Sequence, residues 1–203
     1  MPVTGRTKQQ VVSEFRCAEI LEAARRVFAK KGLADATMDE IAAAAGLAKG
    51  TLYLYFESKR DVYLKTLQHG KVELLEQIKS NMEAAKGLRA KIRTLIATRV
   101  RFAEENRDFY KIYLTEFSNV IHPASINEEF RRLDLKQAKA LEQALREGLD
   151  RGEIRQINIE AAAFMIHDMT RNLITRRLLR WSKANIEEDI DFICDFIWTG
   201  IGC

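Results

Sequence analysis

No proline interrupts the chain between Pro2 and Pro123, and none follows Pro123. Inside a helix, proline removes a backbone donor and clashes with the preceding turn. Two long segments are therefore free to be helical, and strong helix formers (Ala, Leu, Glu, Lys, Arg) dominate them. The predicted fold class is all-α, with about nine helices. A chain of 203 residues that is 47% hydrophobic can bury one substantial core or two small ones.

Cys17, Cys194 and Cys203 are odd in number and far apart, which fits neither a disulfide framework nor the paired spacing of a zinc site. A reducing cytoplasm suits them. No apolar run approaches the roughly 18 to 20 residues needed to span a membrane, and the polar start lacks a signal peptide's apolar stretch. A net charge of +4, from 33 basic and 29 acidic residues, is compatible with nucleic-acid binding but too balanced to establish it.

Residues 1 to about 12, with Arg6 and Lys8, show no apolar periodicity and read as a mobile basic arm. Ile20, Leu21, Ala24, Val27 and Phe28 then recur at helical spacing up to a stop at Gly32. Thr37-Met-Asp-Glu40 is a capping box opening a short helix that breaks at Gly46, and a second short helix carries Lys49 to Phe56. Ser58 to Asp61 resembles another box, opening a long helix to about residue 80. Later helices are expected from Leu88 to Glu105, after Asn106, after Pro123 with a Ser125–Glu128 box, after Asn158 to about Trp181, and after Asn185.

Two short helices joined at a glycine, behind a supporting helix, meet the requirement of a helix-turn-helix. Taken alone, helix-glycine-helix is equally an ordinary helical hairpin. The run Lys49-Gly-Thr-Leu-Tyr-Leu-Tyr-Phe56 tips the balance. Leu52 and Phe56 share a face and can anchor it, which turns Lys49, Thr51, Tyr53 and Tyr55 outward. Hydroxyl and ammonium groups suit phosphate oxygens, and Gly50 lets backbone approach bases. Tyrosines half-buried against the first short helix are the structural alternative, Tyr53 more so than Tyr55.

The stretch Thr37 to Lys59, with the preceding Phe28-Ala-Lys-Lys-Gly32, resembles the TetR family of transcriptional regulators. The resemblance implies a helix-turn-helix domain over 1–60, a ligand-sensing and dimerisation domain over 61–203, and a linking fourth helix at about 58–80. It implies DNA contacts by Thr37, Lys49, Gly50, Thr51, Tyr53, Tyr55 and Lys59. Where the family often has histidine, this chain has Tyr55.

By the same resemblance the partners are double-stranded operator DNA, a small-molecule effector and a second copy of the chain. The last two helices would form the homodimer interface, through Ile174, Leu178, Ile186, Ile190, Ile193 and Ile197. Phe102, Tyr110, Tyr113, Phe117, Phe164, Met165 and His167 fall on helices that surround the family's sensor cavity, with His167-Asp168 or Arg101 as polar anchors. The expected activity is that of a repressor released from DNA by an apolar or amphipathic effector acting through the fourth helix. A transcriptional activator and a helical protein-binding adaptor are the alternatives. No cofactor, metal or enzymatic role is expected: His69, His122 and His167 are isolated, and no nucleophile elbow or phosphate loop is present.

Overall fold

The computed structural model describes residues 7–118 and 128–202, without the side chains of 116–118, 128–131 and 133–137. The described residues form nine helices: α1 Lys8–Asp35, α2 Met38–Ala44, α3 Lys49–Tyr53, α4 Lys59–Glu83, α5 Leu88–Glu105, α6 Arg107–Ser118, α7 Glu128–Asp150, α8 Ile159–Leu178 and α9 Ile186–Ile201. Among these residues no helix is long and apolar enough to cross a membrane.

The mobile arm expected at the start gives way to helix from Lys8 onward. Thr7 and Gln10 make a reciprocal capping box that satisfies two amides at the start of α1. Periodicity missed it because these first turns cover no core: Val11, Val12 and Phe15 are exposed. Arg6 lies outside the described residues, as do Pro123, Cys203 and the Ser125–Asn127 part of the expected α7 cap. The Thr37–Glu40 box forms before α2, Asn185 and Glu188 make a further box before α9, and Asn158 caps α8. At α4 the Ser58 hydroxyl accepts from the Asp61 amide, while the Asp61 carboxylate accepts from Glu57 instead of closing the box on Ser58.

The chain packs as two compact units. The first takes residues up to Gly70 together with α6 from Asp108 onward, the second Lys71 to Arg107 with α7 to α9. This differs from a division at residue 60, because α4 contributes to both. In the first unit, Ile20, Phe28, Ile41, Leu52, Phe56 and Val62 make the core, and Phe28 meets Tyr63 edge-on at 5.0 Å. Phe109, Tyr110 and Tyr113 of α6 form an aromatic cluster with centroids 5.3 to 5.9 Å apart.

Gly70 faces that cluster closely enough that a Cβ would overlap the Phe109 ring. Gly70→Ala would gain about 1 kcal/mol of helix propensity. The Phe109 ring, 1% exposed and flanked by two tyrosines, cannot retreat, and overpacking costs about 1–3 kcal/mol. A net loss of about 1 kcal/mol is expected, seen as a lower urea midpoint; a higher midpoint would mean that the ring relocates freely.

In the second unit α5 is central, packing on α7, α8 and α9. Its stripe Leu88, Ile92, Leu95, Phe102 is buried. Its flank carries arginines that reach acids of the antiparallel α9: Arg89 to Asp195 at 3.0 Å, Arg93 to Asp191 at 2.6 Å, Arg101 to Glu187 at 2.6 Å. The Arg101 hydrogen bond, with that of Arg93, holds the Glu187 carboxyl below the ordinary range.

Candidate nucleic-acid interface and effector cavity

The turn between α2 and α3 is built by backbone hydrogen bonds. Leu47 N–H donates to the Ala42 carbonyl at 2.9 Å and Gly46 N–H to that of Ala43 at 3.1 Å, the Schellman pattern, with Gly46 at φ 66°. This redirects the chain into α3 within three residues. Leu52 and Phe56, 0% and 2% exposed, then pin α3 and its exit to the core.

The side chains left outside are those of a reading helix. Lys49 and Gly50 are exposed, Thr51 is half-buried, and Tyr53 is 47% exposed. No atom would meet a Cβ added at Gly50, so its backbone is open to approach. Lys49 is held by Asp39 of α2 at 2.9 Å, and that hydrogen bond raises its pKa. Thr37 is exposed at the α2 cap, where its hydroxyl accepts from Glu40 N–H at 3.2 Å.

Three positions add to the sequence reading. Tyr53 is outward as read, and Tyr55, also read as outward, is half-buried, because α3 stops at Tyr53 and the following turn brings residue 55 inward. The Lys59 ammonium donates to the carbonyls of Ala34 and Ala36, both at 2.8 Å, so it ties α4 to the α1–α2 connection. Leu54 is 83% exposed beside Tyr53, although an apolar residue in a helical pattern reads as core.

The second unit encloses a cavity of about 640 Å³, with walls from α4, α5, α7 and α8. Val72, Leu75, Ile78, Met82, Leu95 and Leu141 make most of the lining, Glu76, Lys79 and Glu83 add exposed polar groups, and Arg99 and His167 lie buried on the wall. Of the six pocket candidates with described side chains, His167 alone lines this cavity. Tyr110 and Tyr113 belong to the aromatic cluster of the first unit, Phe102 is buried away from the lining, and Phe164 and Met165 are 60% and 61% exposed. The side chain of Phe117 is outside the described residues. Arg101 is spent on Glu187.

The isoleucine stripe of α9 also faces the other way. Ile190, Ile193 and Ile197 are buried within the unit, as is Ile174 of α8, while Leu178 and Ile186 are half-buried. The solvent-facing apolar residues are instead Phe192 and Phe196 on α9, 75% and 61% exposed, and Phe164 and Met165 on α8. The helix is apolar on two faces, and the arginine flank of α5 selects the isoleucine face as the inner one.

Two family models match the chain. Residues 20–66 match bacterial regulatory proteins of the tetR family, and residues 85–175 match the tetracyclin repressor-like C-terminal domain. The chain belongs to the TetR family. Among relatives, the fatty acid metabolism regulator protein of Bacillus subtilis is 23% identical over 186 residues, covering 90% of this chain and 94% of that protein. The transcriptional repressor KstR2 of Rhodococcus jostii is 26% identical over 159 residues, 75% of each chain. The fold is that of the Bacillus subtilis regulator FadR crystallised with stearoyl-CoA, with TM-score 0.73 at 20% identity over 89% of this chain and 96% of that one. This TetR protein is a DNA-binding, ligand-responsive transcriptional regulator.

Proposed function

We propose that the chain represses transcription as a homodimer whose two α3 helices read operator DNA, and that an amphipathic effector with a long apolar portion, bound in the 640 Å³ cavity, releases it. The observation that carries this reading is the exposed surface of α3, where Lys49, Tyr53 and Leu54 project from a turn anchored by Leu52 and Phe56. Lys49 and Tyr53 suit phosphate oxygens. Leu54 suits the methyl group of thymine, the one apolar feature of the major groove.

Relatives carry both signs by name, one a repressor and one an activator, and another regulator of this fold was crystallised with stearoyl-CoA, which supports the effector class. The cavity lies within the usual range of small-molecule sites and is lined mostly by aliphatic side chains. Release requires only that the effector bind one conformation of the dimer better than the DNA-bound one. The dimer face in this reading is Phe164, Met165, Phe192 and Phe196, in place of the isoleucines.

The reading head is tested by two variants on the chain's own upstream DNA. Tyr53→Ala is expected to weaken binding at least tenfold, about 1.4 kcal/mol or more, with an unchanged circular dichroism spectrum. Lys49→Ala is expected to flatten the plot of log affinity against log salt by about two, one phosphate per protomer. Unchanged affinity and slope in both variants would show that α3 does not read the DNA.

A further inference from the structure

Arg99 occupies the fourth place of the α5 stripe Leu88, Ile92, Leu95, Arg99, Phe102, where spacing calls for an apolar residue. It is 2% exposed and lies on the cavity wall. Its guanidinium is poorly satisfied: Nη1 donates to the His167 carbonyl at 3.3 Å, Nη2 meets His167 Nε2 at 3.4 Å, and Nε has no partner. Among the described residues no carboxylate pairs with it. Asp168, the nearest in sequence to His167, pairs with Arg171 at 2.9 Å.

A guanidinium stays charged, and an unpaired charge in a protein interior is costly. A residue kept in that state on the wall of an apolar cavity is suited to an anion that arrives with the ligand. Charge balance selects the anion. A carboxylate neutralises one guanidinium and matches its planar fork with two hydrogen bonds. A dianionic phosphate would leave net negative charge buried, and a neutral thioester or hydroxyl oxygen would leave the positive charge uncompensated. The exposed Lys79, Glu76 and Glu83 are of mixed sign and impose no such choice. His167 assists: with Nε2 accepting from Nη2, its ring proton sits on Nδ1, 3.6 Å from Asp168.

We infer that Arg99, positioned by His167, is the head-group site of the cavity, and that the effector it takes is the ionised free acid of an apolar chain, bound head inward. The inference rests on the proposed effector role of this cavity and narrows its ligand.

Calorimetric titration of the full chain with dodecanoate, dodecanol and dodecanoyl-CoA tests it. Dodecanoate is expected to bind at least about tenfold tighter than dodecanol, and Arg99→Met, which keeps the apolar bulk, is expected to abolish that preference while melting no lower than the parent. Equal affinity for acid and alcohol overturns the inference. So does a thioester that binds more tightly than the acid with an affinity indifferent to Arg99→Met, an outcome that leaves the effector reading of the cavity standing. If none of the three binds, the effector reading itself fails. Should the variant not fold, the ranking of the three ligands on the parent protein decides alone.

Discussion

Phe192→Asp combined with Phe196→Asp is expected to give a folded monomer. The two rings stand one helical turn apart, 75% and 61% exposed, while Ile190, Ile193 and Ile197 of the same helix are buried within the protomer. The substitutions therefore leave the protomer core untouched. Burying a phenylalanine is worth about 2–3 kcal/mol. A twofold interface uses each ring twice, so four rings contribute on the order of 10 kcal/mol before costs of association. Placing four carboxylates on that surface removes this and adds repulsion. Sedimentation velocity should show a single slow species with an unchanged helical spectrum, and operator binding should fall with it, because one head offers too few contacts for strong specificity. Ile190→Ala makes the contrasting control: it is expected to lower stability by about 2–5 kcal/mol without separating the protomers first. A dimer that survives the paired aspartates would place the interface elsewhere.

Arg177→Met is expected to be the most destabilising single substitution of a polar residue in the second unit. Arg177 of α8 is 15% exposed and donates to Glu104 of α5 at 2.7 Å, to Asp189 of α9, and to the Ala184 carbonyl at 3.2 Å. Ser182 adds two contacts to Asp189, at 2.8 and 3.0 Å. One side chain thus holds three helices where the α8–α9 connection folds back. Methionine restores the aliphatic volume but strips two carboxylates of their cation. Breaking a buried pair costs about 3–5 kcal/mol; with Glu104 also paired to Arg107 at 2.6 Å and the site partly exposed, about 2–3 kcal/mol is the expected loss. Urea unfolding measures it as a lower midpoint at unchanged slope. A loss below about 0.5 kcal/mol, the range of neutral surface changes, would mean that the network is ornamental.

Local chemistry was legible in the sequence where the cause is local. The capping box at Thr37 needs only residues three apart, and it forms as read. The glycine turn and its two anchors, Leu52 and Phe56, follow from helix phase over a few residues. Failures arose where phase had to be continued or a partner supplied. Running α3 on to Phe56 turns Tyr55 outward, whereas the helix ends at Tyr53 and Tyr55 is half-buried.

Longer-range features were harder to see. Helix α9 is apolar on two faces, and periodicity does not say which one meets the protomer's own core. Aromatic type suggests a pocket lining, yet Tyr110 and Tyr113 serve a cluster beside Gly70 and the cavity is mostly aliphatic. The signal for its charged residue lies in the sequence: Arg99 interrupts an otherwise apolar stripe, and a charge at a core position of a helical pattern is the mark of a buried ion.

Sequence reading by α3 is measured by titrating the protein against its own upstream DNA and a scrambled fragment of equal length, repeated across salt concentration. Tighter binding to the native fragment is expected, with affinity on both falling linearly in log salt as phosphate contacts release counterions. Equal, salt-dependent binding to the two fragments would reduce the head to a nonspecific cation patch and contradict the claim that α3 reads sequence.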